Sequence, residues 1–104
     1  MTNPSGTRWE SRLVKYLQDQ GFPLAERRVR SGAKDKGDVA GIQGICIEAK
    51  NVRKMALADW IDEAEVERVN ASADLTFVVF PRRNHRVGKA YVLCSLDQWI
   101  EEHK

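Results

Sequence analysis

Residues 75–80 read Leu-Thr-Phe-Val-Val-Phe, a continuous apolar run of the kind that is buried on both faces of a sheet. Residues 90–94 resemble it and supply a further strand. Upstream, two short apolar runs at 38–42 and 45–50 are separated by Gln43-Gly44, a tight connection in which glycine supplies a positive φ, so the two runs pair as an antiparallel hairpin. Residues 24–30 read as another strand. Residues 31–37 hold two glycines and no apolar anchor, and they read as a mobile loop leading directly to Asp38.

Helices flank these strands. Thr7 can cap the first helix while Glu10 reaches back to it, Trp9, Leu13, Tyr16 and Leu17 recur at helical spacing, and Gly21 ends it. Over 57–71, Leu57, Trp60, Ile61, Ala64 and Val69 predict an amphipathic second helix whose outer face carries Asp62, Glu63, Glu65 and Glu67. Ser95 and Gln98 form a second capping box, opening a last helix in which Trp99 and Ile100 pack inward while Glu101, Glu102 and Lys104 face water. The predicted class is α/β, with the order αβββαβ followed by an added strand and helix, and a mixed five-stranded sheet flanked by helices.

A chain of 104 residues, 42% of them hydrophobic, fits one compact domain over 7–104 behind a flexible tail at 1–6. Three Trp and only three Pro argue against disorder. No apolar run approaches the roughly 20 residues that span a bilayer, and the first six residues lack the order of a signal peptide, so the expected location is the cytoplasm. Cys46 and Cys94 lie in strand-like segments without metal-ligand spacing and read as buried, reduced thiols. Trp60, Trp99 and Phe80 sit on apolar faces and read as core rather than as base-stacking residues. The net charge of +2 is ordinary, but it is segregated: Arg27, Arg28, Arg30, Lys34 and Lys36 crowd one stretch, and Arg82, Arg83, His85, Arg86 and Lys89 another.

Side chains alternate along a strand, so Glu48 and Lys50 share one face and Ile45, Ile47 and Ala49 the other. Across the hairpin Asp38 comes alongside Glu48, and two carboxylates and an ammonium converge. Hard carboxylate oxygens suit Mg²⁺, with Mn²⁺ able to substitute, and such an ion polarises a phosphate and acidifies a water. Lys50 could orient or deprotonate the attacking water, or stabilise charge on the phosphoryl oxygens. Taken alone, Glu48 and Lys50 are also an ordinary solvent-facing pair. The hairpin, Gly37-Asp38 and the flanking basic segments together favour phosphodiester hydrolysis.

Gly37-Asp38 followed by Ile47-Glu48-Ala49-Lys50 resembles the signature of the PD-(D/E)xK nuclease superfamily. Gly6-Thr7-Arg8-Trp9-Glu10 and Arg28-Val29-Arg30-Ser31-Gly32 extend the resemblance, over roughly the first half of the chain, to archaeal and phage Holliday junction resolvases. It implies a restriction-endonuclease-like core, a metal site of Glu10, Asp38 and Glu48, Lys50 as the catalytic lysine, and a homodimer that nicks a four-way DNA junction symmetrically, in a cell or in the cytoplasm of a phage host. Gly37 stands where the family usually has proline, a change expected to alter only backbone stiffness. Glu10 has two readings, metal ligand and partner of the Thr7 cap.

Candidate DNA contacts are Arg27, Arg28, Arg30, Ser31, Lys34, Lys36, Arg53, Arg82 and Arg83, all of which would meet phosphates rather than read bases. Solvated decoration is the alternative for the basic residues and a routine turn for Ser31-Gly32. His85, alone among arginines on a loop, is left out of the catalytic set. Two rival functions stand beside the resolvase: a nuclease of the same superfamily acting on flaps, single strands or duplex DNA, and a nucleic-acid-binding module of this fold that does not cut.

Overall fold

Alternating side-chain direction along residues 45–49 divides the molecule into layers. In the computed structural model, which describes residues 4–29 and 32–104, Ile47 packs with Trp9, Leu13 and Val14 of the first helix, α1 (Pro4–Asp19). Cys46 and Glu48, its neighbours in strand β3 (Ile45–Ala49), project to the opposite face. That face is covered by α2 (Leu57–Asn70), whose Trp60 and Ala64 pack on Val78 of β4 (Leu75–Phe80). The sheet is thus sandwiched between helices at its centre, as the apolar run at 75–80 requires.

Five strands follow one another in sequence order across the sheet: β1 (Glu26–Arg27), β2 (Val39–Ala40), β3, β4 and β5 (Tyr91–Leu93). The pairs β1/β2, β2/β3 and β4/β5 are antiparallel, whereas β3 and β4 run parallel because α2 carries the chain across between them. The sheet is mixed, and the class is α/β with three helices, the last being α3 (Leu96–His103). The first three strands are shorter than the runs that predicted them. Among the described residues no helix is long and apolar enough to cross a membrane.

The amino-terminal capping box does not form. The first helix starts at Pro4, where proline's fixed φ and missing N–H suit the first turn. This leaves Thr7 inside the helix with its hydroxyl buried and unpartnered. Its end is as expected, with Gly21 at φ +111° and the Phe22 N–H donating to the Leu17 carbonyl.

At the other end the cap is present, since Ser95 Oγ accepts from the Gln98 N–H at 3.1 Å. The Gln98 side chain then bonds both the N–H and the carbonyl of Thr76, taking the place of a strand where β5 stops short. Because this clamp, rather than an apolar face, docks α3, Trp99 stays 51% exposed and stacks on His103, and Ile100 is exposed too. The inward packing predicted for both is not seen. β5, the last strand in the sheet order, is an exposed edge and not a buried strand, with Val92 63% exposed. Trp60 and Phe80 meet edge-on at 5.3 Å in the core beneath α2. Both cysteines are free, Cys46 buried and Cys94 half-buried.

Candidate metal and phosphodiester site

Asp38 is held from three sides. Its N–H donates to the Ile47 carbonyl, its own carbonyl accepts from the Arg28 N–H, and its Oδ2 accepts from the Ala49 N–H, each at 2.8 Å. With Val39 opposite Ile47 in an antiparallel pair, Asp38 faces Glu48. The expected juxtaposition of these two acids is therefore present. Burial, and then the Glu48 carboxylate beside it, push the Asp38 carboxyl up to about 7.

Glu48 is only 5% exposed, and burial drives its carboxyl up to about 8, with Glu67 adding to the rise and Asp38 and Lys50 opposing it. Glu10, from α1, completes a row on the other side of Asp38. Burial and Asp38 raise it, while Arg27, paired with it at 3.2 Å, lowers it. The cap reading of Glu10 falls with the Thr7 box, and its neighbours are instead a carboxylate and an arginine.

Lys50 lies on the same face as Glu48 and bonds both oxygens of Glu63 at 3.1 Å. Burial works against its charge, but Glu63, Glu48 and Glu67 together hold the ammonium above its usual range.

Glu67 was expected on the outer face of α2 and is instead 1% exposed beneath it. Its spacing explains this, because Trp60, Ala64 and Glu67 fall at i, i+4 and i+7, the stripe that packs on the sheet. Burial raises its carboxyl to about 7, against a lowering through its contact with Glu48, and Asp35, Glu63 and Asp38 add like charge. Among the described residues, neither Glu67 oxygen nor the buried Glu48 Oε2 has a hydrogen-bond donor. One ligand oxygen from each of Asp35, Glu48, Glu63 and Glu67 lies within 4.8 Å of the others. Asp35, Glu63 and Glu67 were not singled out as site residues from sequence, and only Glu67 carried a signal there, as an acid on a core stripe.

Unpartnered buried carboxylates of this density call for protons or a cation. An all-oxygen, anionic donor set fits a hard divalent ion such as Mg²⁺ or Mn²⁺. Of the three expected ligands, Glu48 belongs to the group of oxygens within 4.8 Å of one another, whereas Asp38 and Glu10 stand outside it.

Two basic recesses border this row. Arg28, Lys34 and Lys36 line one of about 120 Å³ that ends at Asp38. Arg82 and Arg83, with Arg12, His85 and Arg86, line another of about 260 Å³ floored by Trp9. The second is tied to the site through one carbonyl, since Trp9 Nε1 and the Lys50 N–H both donate to the oxygen of Val79. Arg53 is exposed on the loop beyond Lys50. Arg27 is drawn to Glu10. Arg30 and Ser31 lie outside the described residues. His85 is exposed, its Nδ1 at 2.9 Å from the Arg83 carbonyl oxygen.

Gly37 has φ +92°, and a Cβ there would stand 2.8 Å from Cys46 Sγ and 3.0 Å from the Ile47 carbonyl. The difference from proline is thus more than stiffness, because proline is confined to φ near −65° and cannot take this turn. Gly37→Pro is expected to lower stability by at least about 2 kcal/mol, seen as a fall in Tm of roughly 10 °C. An unchanged Tm would show that the turn into Asp38 tolerates another path.

Compared with protein-family models, with curated proteins and with solved structures, the chain matches none.

Proposed function

We propose that the chain is a divalent-cation-dependent DNA endonuclease with a restriction-endonuclease-like core, acting as a homodimeric resolvase that nicks four-way junctions in pairs. The observation that carries this reading is the alignment of Asp38 and Glu48 across β2 and β3, with Lys50 on the same face and Glu48 Oε2 buried and unpartnered. The succession α1, β1 to β3, α2, β4 supports the αβββαβ core.

Asp38 and Glu48 would hold the ion, with Glu10 beside them. When bound, that ion supplies Lewis-acid polarisation of the phosphate and a more acidic water. Lys50, its ammonium held above the usual range, is a point charge at neutral pH and not a proton acceptor. Its part in the reaction is therefore to stabilise charge on the phosphoryl oxygens. The Ala49 N–H holds Asp38 in place and so orients the acid pair.

The two basic recesses would receive backbone phosphates on either side of the cut, giving affinity without base reading. Paired cuts need two such sites related by a two-fold axis. The exposed Leu57, Val66 and Val69 of α2 offer apolar surface for that pairing.

Labelled four-way junction, flap and linear duplex incubated with Mg²⁺ provide the test. Paired nicks in the junction, abolished by chelation and by Lys50→Ala, are expected. Equal cutting of linear duplex would replace the resolvase by a nuclease of broader substrate. Tight binding without cleavage in Mg²⁺ or Mn²⁺ would leave a binding module.

A further inference from the structure

Asp38 and Glu10 stand outside a compact group of acids built around Glu48. Asp35, Glu63 and Glu67 bring carboxylate oxygens within 4.8 Å of Glu48 and of each other. Asp35 is anchored there, because its Oδ1 accepts from the Gly37 N–H at 2.9 Å and its carbonyl accepts from Asn70 Nδ2 of α2, also at 2.9 Å. Glu63 is fixed by Lys50, among the described residues the one cation in a salt bridge with the group. Glu67 is 1% exposed, aimed into the group, and among the described residues neither of its oxygens meets a donor. Two carboxylates buried against each other without a donor need a proton or a cation between them.

We propose that Asp35, Glu63 and Glu67, sharing Glu48, form a second divalent-cation site beneath α2, separate from the one on the Asp38 side. It rests on the reading that Asp38 and Glu48 hold the first ion. Four carboxylates and no nitrogen or sulfur donor select a hard ion, Mg²⁺, Mn²⁺ or Ca²⁺, over zinc or copper. The ion ties the loop before Asp38 to α2 through Asp35 and Glu67, and so sets the position from which Asp38 enters the sheet.

Mn²⁺ alone, titrated into the full chain without DNA and counted by the electron-spin signal of the free ion, tests this; competition with Mg²⁺ and with Ca²⁺ identifies the preferred occupant. Two equivalents are expected in the unaltered protein, one in Glu67→Gln and one in Asp38→Asn. Glu63→Gln, at an exposed position that leaves the core untouched, is expected to weaken the same equivalent as Glu67→Gln at least tenfold. Two equivalents retained in both Glu67→Gln and Glu63→Gln would overturn the second site. So would a single equivalent lost only in Asp38→Asn, which leaves the hydrolytic reading standing. A single equivalent lost in Glu67→Gln but kept in Asp38→Asn would uphold the site under α2 and remove the proposed catalytic one. No binding at all would remove both.

Discussion

Glu48→Gln is expected to lower junction cleavage about 1000-fold and, in the same protein, to raise thermal stability at pH 8 in the absence of divalent ions. The first effect follows from charge. A bound ion supplies several kcal/mol of stabilisation to the developing phosphoryl charge, and losing about 4 kcal/mol of it corresponds to three powers of ten. The second follows from burial. Glu48 is 5% exposed, its Oε2 has no partner, and its carboxyl sits at about 8, so at and above that pH the fold carries a buried anion that glutamine lacks. A gain of about 1 to 2 kcal/mol, or roughly 5 to 10 °C in Tm, is expected. A residue that serves only the fold behaves otherwise. Were cleavage and Tm to fall together, Glu48 would be structural, and the metal reading would lose its central ligand.

How far this site was legible depends on which physical signal each residue leaves in a sequence. The juxtaposition of Asp38, Glu48 and Lys50 is legible because strand alternation and a glycine turn are local rules: Gln43-Gly44 turns the chain between the two strands, and the period of two places Glu48 and Lys50 together. The run at 75–80 likewise announced a strand covered on both faces. Glu67 was misplaced because charge was allowed to outweigh spacing. Its i, i+4, i+7 relation to Trp60 and Ala64 puts it on the buried stripe of α2, facing Glu48 on the sheet. Nothing local in Asp35 or Glu63 shows that they meet Glu48, since that depends on how the loop before Asp38 and the helix after Lys50 dock.

The carboxyl-terminal errors have two causes. Position on an apolar face points Trp99 and Ile100 inward and an apolar run makes β5 a buried strand, whereas α3 is attached by the two hydrogen bonds of Gln98 to Thr76 and β5 is the last strand of the sheet. A side chain standing in for a strand leaves no periodic trace. At Gly37, likewise, the residue type showed a departure from proline, but the sign of φ is a property of the turn.

Without divalent ions, stability is expected to fall as pH rises from about 4.5 to about 8, the reverse of the usual behaviour of paired carboxylates. The sign follows from proton counting. Asp38 at about 7, Glu48 at about 8 and Glu67 at about 7 all lie above their ordinary values, so between the two limits the folded chain binds more protons than the unfolded one. Their stabilising contribution is complete below the unfolded values near 4 and is lost as pH passes the folded ones. Glu10, Asp35 and Glu63 face the same row and add negative charge, while among the described residues Arg27 and Lys50 form salt bridges with it. One pKa unit is worth about 1.4 kcal/mol, and water entering around Asp38 recovers part of the total. A net loss of about 2 to 4 kcal/mol between pH 5 and pH 8.5 is therefore expected, with a fall in Tm exceeding about 10 °C in chelator. Mg²⁺ or Mn²⁺ at about a hundred times its dissociation constant returns about 2.7 kcal/mol at pH 8.5 and nearly nothing at pH 5, where protons occupy the oxygens. Glu67→Gln should flatten the profile in chelator by removing one of the three groups. A Tm that is level or rising from pH 5 to 8.5, unaltered by either metal, would mean that these carboxylates ionise in the fold without penalty, and neither a proton nor a cation would then be needed to hold α2 on the sheet.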